Sequence, residues 1–155
     1  YVIKNWEKVY ENKYNLLLFG KEWRKGIHKK LNELIEKNEM KEYIYLLGSV
    51  SEEDLNYLYS QSLAFIFPSV EEGFGLPPLE ALTCKTKIIL PKTPVNFELF
   101  KELALFYSIG NDNEFKTAVC NSINFSIDEN IYRKKIDEFS LDNFYEKLSN
   151  IFINA

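Results

Sequence analysis

Apolar and polar positions along this chain follow two alternating rhythms. Val2, Trp6, Val9 and Tyr10 recur at helical spacing, which predicts that the chain opens inside an amphipathic helix. Leu16-Leu17-Leu18-Phe19 is a short apolar run closed by Gly20, the pattern of a strand buried on both faces. Trp23, Ile27, Leu31, Leu34 and Ile35 mark a second helix. Tyr43 to Leu47, closed by Gly48, reads as a second buried strand.

Ser51-Glu52-Glu53-Asp54 then signals a helix start, with a hydroxyl to cap and a carboxylate three residues on. Leu55, Leu58, Tyr59 and Leu63 continue that helix at the right period. Ala64-Phe65-Ile66-Phe67 is a third strand, ended by Pro68. After a glycine-containing loop, Pro77 and Pro78 fit the first turn of a helix, where a missing N–H costs little. Lys87 to Leu90 and Ala104 to Tyr107 are further strands, with a short helix at about Phe97 to Leu103 between them. The pattern is helical from Asp112 onward, with C-terminal helices at about 128–153 that start near Asp128 and Ser140.

Strands of continuous apolar character alternating with helices predict a parallel sheet covered on both faces. Right-handed crossovers make this a Rossmann-like doubly wound α/β domain, one unit over 1–155. Ligands of such sheets bind beyond the carboxyl ends of the strands. Gly20, Gly48, Gly73 and Gly75 all fall along that edge, although glycines also simply end strands.

Composition narrows the classes. At 46% hydrophobic and 27% charged residues, the chain is that of an ordinary globular domain. A net charge of -4 gives no footprint for nucleic acid. No apolar run approaches the roughly 20 residues of a membrane-spanning helix, and no secretory signal opens the chain, so a cytoplasmic location is expected. Cys84 and Cys120 have neither disulfide nor metal-site spacing, and no metal is expected. The single histidine, His28, sits among lysines and reads as a surface residue.

The chemistry concentrates in Pro68-Ser69-Val70-Glu71-Glu72-Gly73-Phe74-Gly75-Leu76-Pro77-Pro78-Leu79-Glu80-Ala81. Two glycines around one aromatic let main-chain N–H groups approach a ligand where a helix begins. The helix adds unpaired N–H groups and a partial positive charge, which together suit a phosphate. Glu72 stands before that anion site and Glu80 about a turn inside the helix. Both can accept hydrogen bonds from hydroxyls, as a sugar–diphosphate–ribose ligand requires. Acidic residues near a helix start also stabilise it by roughly 0.3–1 kcal/mol, so Glu80 alone would be ambiguous.

Glu72-Gly73-Phe74-Gly75-Leu76-Pro77, with seven residues between Glu72 and Glu80, resembles the E-x7-E signature of family 4 glycosyltransferases of the GT-B fold. Leu47-Gly48-Ser49-Val50-Ser51, Tyr59-Ser60-Gln61-Ser62, Phe65-Ile66-Phe67-Pro68-Ser69 and Leu17-Leu18-Phe19-Gly20-Lys21 resemble what precedes the motif in that family. The resemblance implies the C-terminal, donor-binding half of a two-domain enzyme. Glu72 would contact the donor sugar as the catalytic residue, and Glu80 the ribose. Amides around Phe74, Gly75 and Leu76 would face the sugar and diphosphate, Val50 would touch the nucleobase, and Gly73 and Ser49 would also belong to the donor site. The implied reaction is transfer of a hexose from a UDP- or GDP-sugar with retention, without a metal or other cofactor, in cell-surface polysaccharide or glycoconjugate synthesis. A saccharide or lipid-linked acceptor, and peripheral association with the inner face of the membrane, would belong to an absent N-terminal half.

Two departures from the family stand out. Cys84-Lys85-Thr86-Lys87 replaces a small-residue turn that ends in glycine, and Phe97-Glu98 stands where Pro-Glu is usual. The family's first strand and its diphosphate-gripping Arg and Lys would precede Tyr1, leaving two sheet edges unpaired. Two other readings compete: a nucleotide-sugar-binding module without transfer activity, and an unrelated nucleotide-binding domain. No G-x-G-x-x-G follows any strand to support the latter.

Overall fold

A computed structural model describes residues 1–10, 14–22, 24–71 and 75–140. Its elements run α1 (Val2–Tyr10), β1 (Leu16–Phe19), α2 (Ile27–Lys37), β2 (Ile44–Gly48), α3 (Glu52–Gln61), β3 (Phe65–Ile66), α4 (Leu76–Thr83), β4 (Ile88–Pro91), α5 (Pro94–Phe100), a 3-10 turn (Lys101–Leu103), β5 (Ala104–Tyr107), α6 (Asp112–Asn121) and α7 (Glu129–Glu138). The helix expected after Ser140, and with it the second half of the 128–153 segment, lies outside the described residues, as does Trp23.

Local chemistry sets the helix starts. The Ser51 side chain accepts from the Asp54 amide, Thr93 from Asn96, Asn111 from Glu114, and Asp128 from Asn130 and Ile131. Each satisfies backbone donors that the first turn leaves open. Thr93 with Pro94 behind it starts α5 at Pro94, not at Phe97 as the apolar spacing suggested; the cap outweighs the period. The α4 C-terminus is a Schellman turn, with Thr86 N–H donating to Ala81 O at 3.0 Å and Lys85 N–H to Leu82 O at 2.7 Å. Lys85 takes the left-handed position of that turn, at φ 59°. The family's glycine is thus replaced by a strained lysine.

All strand pairs are parallel. Leu16 pairs with Ile44 and Leu17 with Tyr45; Phe65 pairs with Ile88; Ile88 to Pro91 pair with Ala104 to Tyr107. The pairs form a two-stranded sheet, β1-β2, and a three-stranded sheet, β3-β4-β5. Among the described residues β1 and β3 are not hydrogen-bonded to each other. Among the described residues the strands therefore fall into two separate parallel sheets. β3 is only two residues long, shorter than its apolar run.

Two cores cover the two faces. On one, Val2, Trp6 and Val9 of α1, Ile35 of α2 and Phe115, Ala118 and Val119 of α6 enclose Leu16, Ile44, Ile89 and Tyr107. On the other, Tyr59, Ala81, Leu82, Phe100 and Leu103 enclose Ile88, Leu90 and Ala104. Ile88, Ile89 and Leu90 alternate between the cores and are wholly buried. This is the doubly wound α/β arrangement. One expectation is corrected at β1 and β2. Their second face is not closed, with Leu17 39%, Tyr45 45% and Leu47 43% exposed, because the helices of that layer cluster behind the three-stranded sheet. Phe19 alone of β1 joins that layer, against Tyr59 and Phe65.

Candidate functional site

Parallel pairing brings the carboxyl ends of neighbouring strands to one edge, so the loops after them converge there. β2 leaves through Gly48, held in the left-handed region at φ 72°, whose carbonyl accepts the Gly20 amide at 2.8 Å. The exits of β1 and β2 are thereby tied together. Ser49 follows exposed and Val50 half-buried, before Ser51 caps α3 with a 3.1 Å bond from the Asp54 amide. Both of these expected donor-site residues therefore lie on the strand-exit edge.

Three of the expected donor residues, Glu72, Gly73 and Phe74, lie outside the described residues. The described part resumes at Gly75, at φ 73° and ψ 53°, as the N-cap of α4. A side chain there would be strained, and its β-carbon would stand 3.5 Å from Phe100. Leu76 opens α4 at 59% exposure. Pro77 and Pro78 carry no N–H, and the Leu79 amide is used by Gly75 O at 3.3 Å. The anion-directed donors of this helix end, among the described residues, thus reduce to the amides of Gly75 and Leu76.

Glu80 lies one turn inside α4, with an exposed side chain and no ion pair among the described residues. α4 packs on α3, and the carboxylate reaches the field of Tyr59. Burial pushes the Tyr59 phenol up to about 12, with the negative charge of Glu80 and then Cys84 adding to the shift. Tyr59 therefore stays protonated beside Glu80 across the physiological range. Its main-chain carbonyl accepts the Thr86 hydroxyl at 2.6 Å, which fixes the end of α3 against the turn after α4.

His28 is a half-buried surface residue, with its ring Cε1 3.9 Å from where a β-carbon on Gly48 would stand. The signal available in the sequence was position: His28 falls just after the loop that leaves a parallel strand, where side chains reach the strand-exit edge. Among the described residues no group of three His, Cys, Asp or Glu could hold a metal ion, and Cys84 and Cys120 form no disulfide. No described helix is long and apolar enough to cross a membrane.

A model of the family "Glycosyl transferases group 1" matches residues 1–146. The chain is 28% identical over 148 residues to an O-antigen chain mannosyltransferase of Salmonella typhimurium, a match covering 96% of this chain and 41% of that protein. It is 40% identical over 78 residues to O-antigen chain mannosyltransferase B of Escherichia coli, covering 50% of this chain and 20% of the relative. The fold is similar to a glycosyltransferase structure from Rickettsia africae, with a TM-score of 0.84 and 20% identity over 97% of this chain and 42% of that one. It also resembles a pneumococcal O-GlcNAc transferase in complex with UDP and GlcNAc, with a TM-score of 0.71 and 18% identity over 97% of this chain and 31% of the other. The chain thus spans about two fifths or less of the length of these proteins.

Proposed function

The chain belongs to the group 1 glycosyl transferases, and from that premise we propose that it is the donor-binding half of an enzyme that transfers mannose from a nucleoside-diphosphate sugar to a growing surface polysaccharide. The single observation that carries the reading is the Gly75–Leu76 turn at the head of α4. It sets the Gly75 and Leu76 amides at the start of a helix on the strand-exit edge, with the exposed Glu80 one turn behind. The choice of mannose follows the O-antigen mannosyltransferases that the chain resembles. The UDP complex of a fold neighbour supports a diphosphate nucleotide in this kind of crevice.

In this proposal the diphosphate lies against the α4 N-terminus, whose amides and dipole stabilise the charge that builds up as the nucleotide leaves. Glu80 accepts hydrogen bonds from the ribose hydroxyls, and Glu72 from those of the sugar. Ser49 and Val50 flank the base. Transfer proceeds with retention by departure of the nucleotide from the face that the acceptor attacks. Glu72 orients the sugar and is not a covalent nucleophile. Helix dipole and basic side chains take the role that a metal fills elsewhere. The acceptor, saccharide or lipid-linked, is bound outside this domain, and the enzyme works at the cytoplasmic face of a membrane.

Calorimetric titration of the intact protein with GDP-mannose and UDP-sugars, followed by assay of mannosyl transfer and of the anomeric configuration formed, tests the reading. Binding and retained configuration are expected. Failure to bind any nucleotide sugar would end it, and binding without transfer to any saccharide or lipid-linked acceptor would favour a non-catalytic module instead.

A further inference from the structure

We propose that His28 reads the nucleobase of the bound donor; the inference rests on the donor-site reading above and adds a residue to it. His28 is the second residue of α2, so it projects from the first turn of a helix that begins at the strand-exit edge. Its ring flanks Gly48, with Cε1 3.9 Å from the point a β-carbon there would occupy, which is ordinary contact distance. Ser49 and Val50 follow Gly48 directly, so the imidazole borders the stretch assigned to the base.

The backbone on either side of this contact is tied down. The His28 amide donates to Glu22 Oε1 at 3.3 Å in the loop after β1, and the Gly20–Gly48 hydrogen bond fixes that loop's root to the exit of β2. A half-buried histidine beside a glycine, whose missing β-carbon leaves the space next to the ring open, offers a surface to a flat ligand at the strand-exit edge. A neutral imidazole offers a flat face, one donor nitrogen and one acceptor nitrogen. Those are the features by which side chains stack on a base and match its polar edge. Guanine and uracil differ in where that edge carries donors and acceptors, so one such residue biases the choice between them.

Calorimetry of GDP and UDP binding to the intact protein, for wild type, His28→Ala and His28→Phe, tests the assignment. A hydrogen bond to a base edge corresponds to about a tenfold change in dissociation constant. The expected result is a shift of about that size in the ratio of the GDP and UDP constants for both variants, with His28→Phe recovering absolute affinity through stacking but not the ratio. Loss of stability would weaken both nucleotides together and leave the ratio alone, so it cannot imitate this result. An unchanged ratio in both variants overturns the role of His28 while the donor site stands. Absence of nucleotide binding by the wild type overturns both.

Discussion

The Thr86 hydroxyl donates a buried 2.6 Å hydrogen bond to the main-chain carbonyl of Tyr59, joining the turn before β4 to the last turn of α3. That bond binds the helix carrying Tyr59 to the helix carrying Glu80, and so holds two walls of the candidate site in register. Thr86→Val keeps the shape and leaves the Tyr59 carbonyl buried without its partner. The expected loss is about 1–3 kcal/mol of folding stability, read by urea denaturation. An unchanged midpoint would show that water replaces the hydroxyl.

Lys85 occupies the left-handed position of the Schellman turn at φ 59°, which costs a β-carbon-bearing residue roughly 1–2 kcal/mol. Its exposed 4.0 Å pairing with Glu129 returns little. Lys85→Gly should therefore stabilise the protein by about 0.5–1 kcal/mol, after the added chain entropy of glycine in the unfolded state is subtracted. Thermal melts of the two proteins measure it, and a destabilised glycine variant would refute the strain argument.

Glu72→Gln in the intact protein should lower turnover by orders of magnitude with little change in nucleotide affinity. Glu80→Gln should instead weaken nucleotide binding by about 1–3 kcal/mol, as for losing a charged acceptor. Steady-state kinetics and titration of each variant separate the two roles. Wild-type activity in the Glu72 variant would remove that residue from catalysis.

Glu114 locks the loop after β5: its carboxylate accepts the Ser108 amide at 2.7 Å and the Asn111 side chain at 2.7 Å. The Ser108 amide is the main reason that the Glu114 carboxyl lies below its ordinary value of 4.5. A lowered folded-state value means that the contribution is full above the unfolded-state value and lost as pH falls through the folded one. The melting-temperature gap between wild type and Glu114→Gln should thus persist at neutral pH and close in acid below 4.5. A gap independent of pH would contradict it.

Hydrogen exchange should grade the strands. Ile88 and Ile89 are paired on both sides and Ile88 to Leu90 are wholly buried, whereas Phe65 and Ile66 pair with β4 alone and Leu16 to Phe19 with β2 alone. Amides of β4 should exchange slowest, and those of β1 and β3 faster when these 155 residues are expressed by themselves. Equal protection across all three would mean that the facing edges of β1 and β3 are paired after all.

What the amino-acid order determined by itself was local and periodic. Apolar runs fixed all five strands to within a residue or two. Ser51 and Asp128 marked helix starts because a cap is chemistry between a side chain and amides a few residues on. The Gly75–Leu76 turn was legible for the same reason, since its geometry depends on neighbours in sequence. Tertiary structure alone decided the rest. Whether Leu17, Tyr45 and Leu47 are covered depends on where helices from β3–β5 happen to stack, and no period in β1 or β2 records that. His28 comes beside Gly48 across 20 residues of chain, a proximity that exists only once two parallel strands have aligned their exits. The break between β1 and β3 is likewise a matter of which edges find partners, a long-range choice that local propensity does not encode.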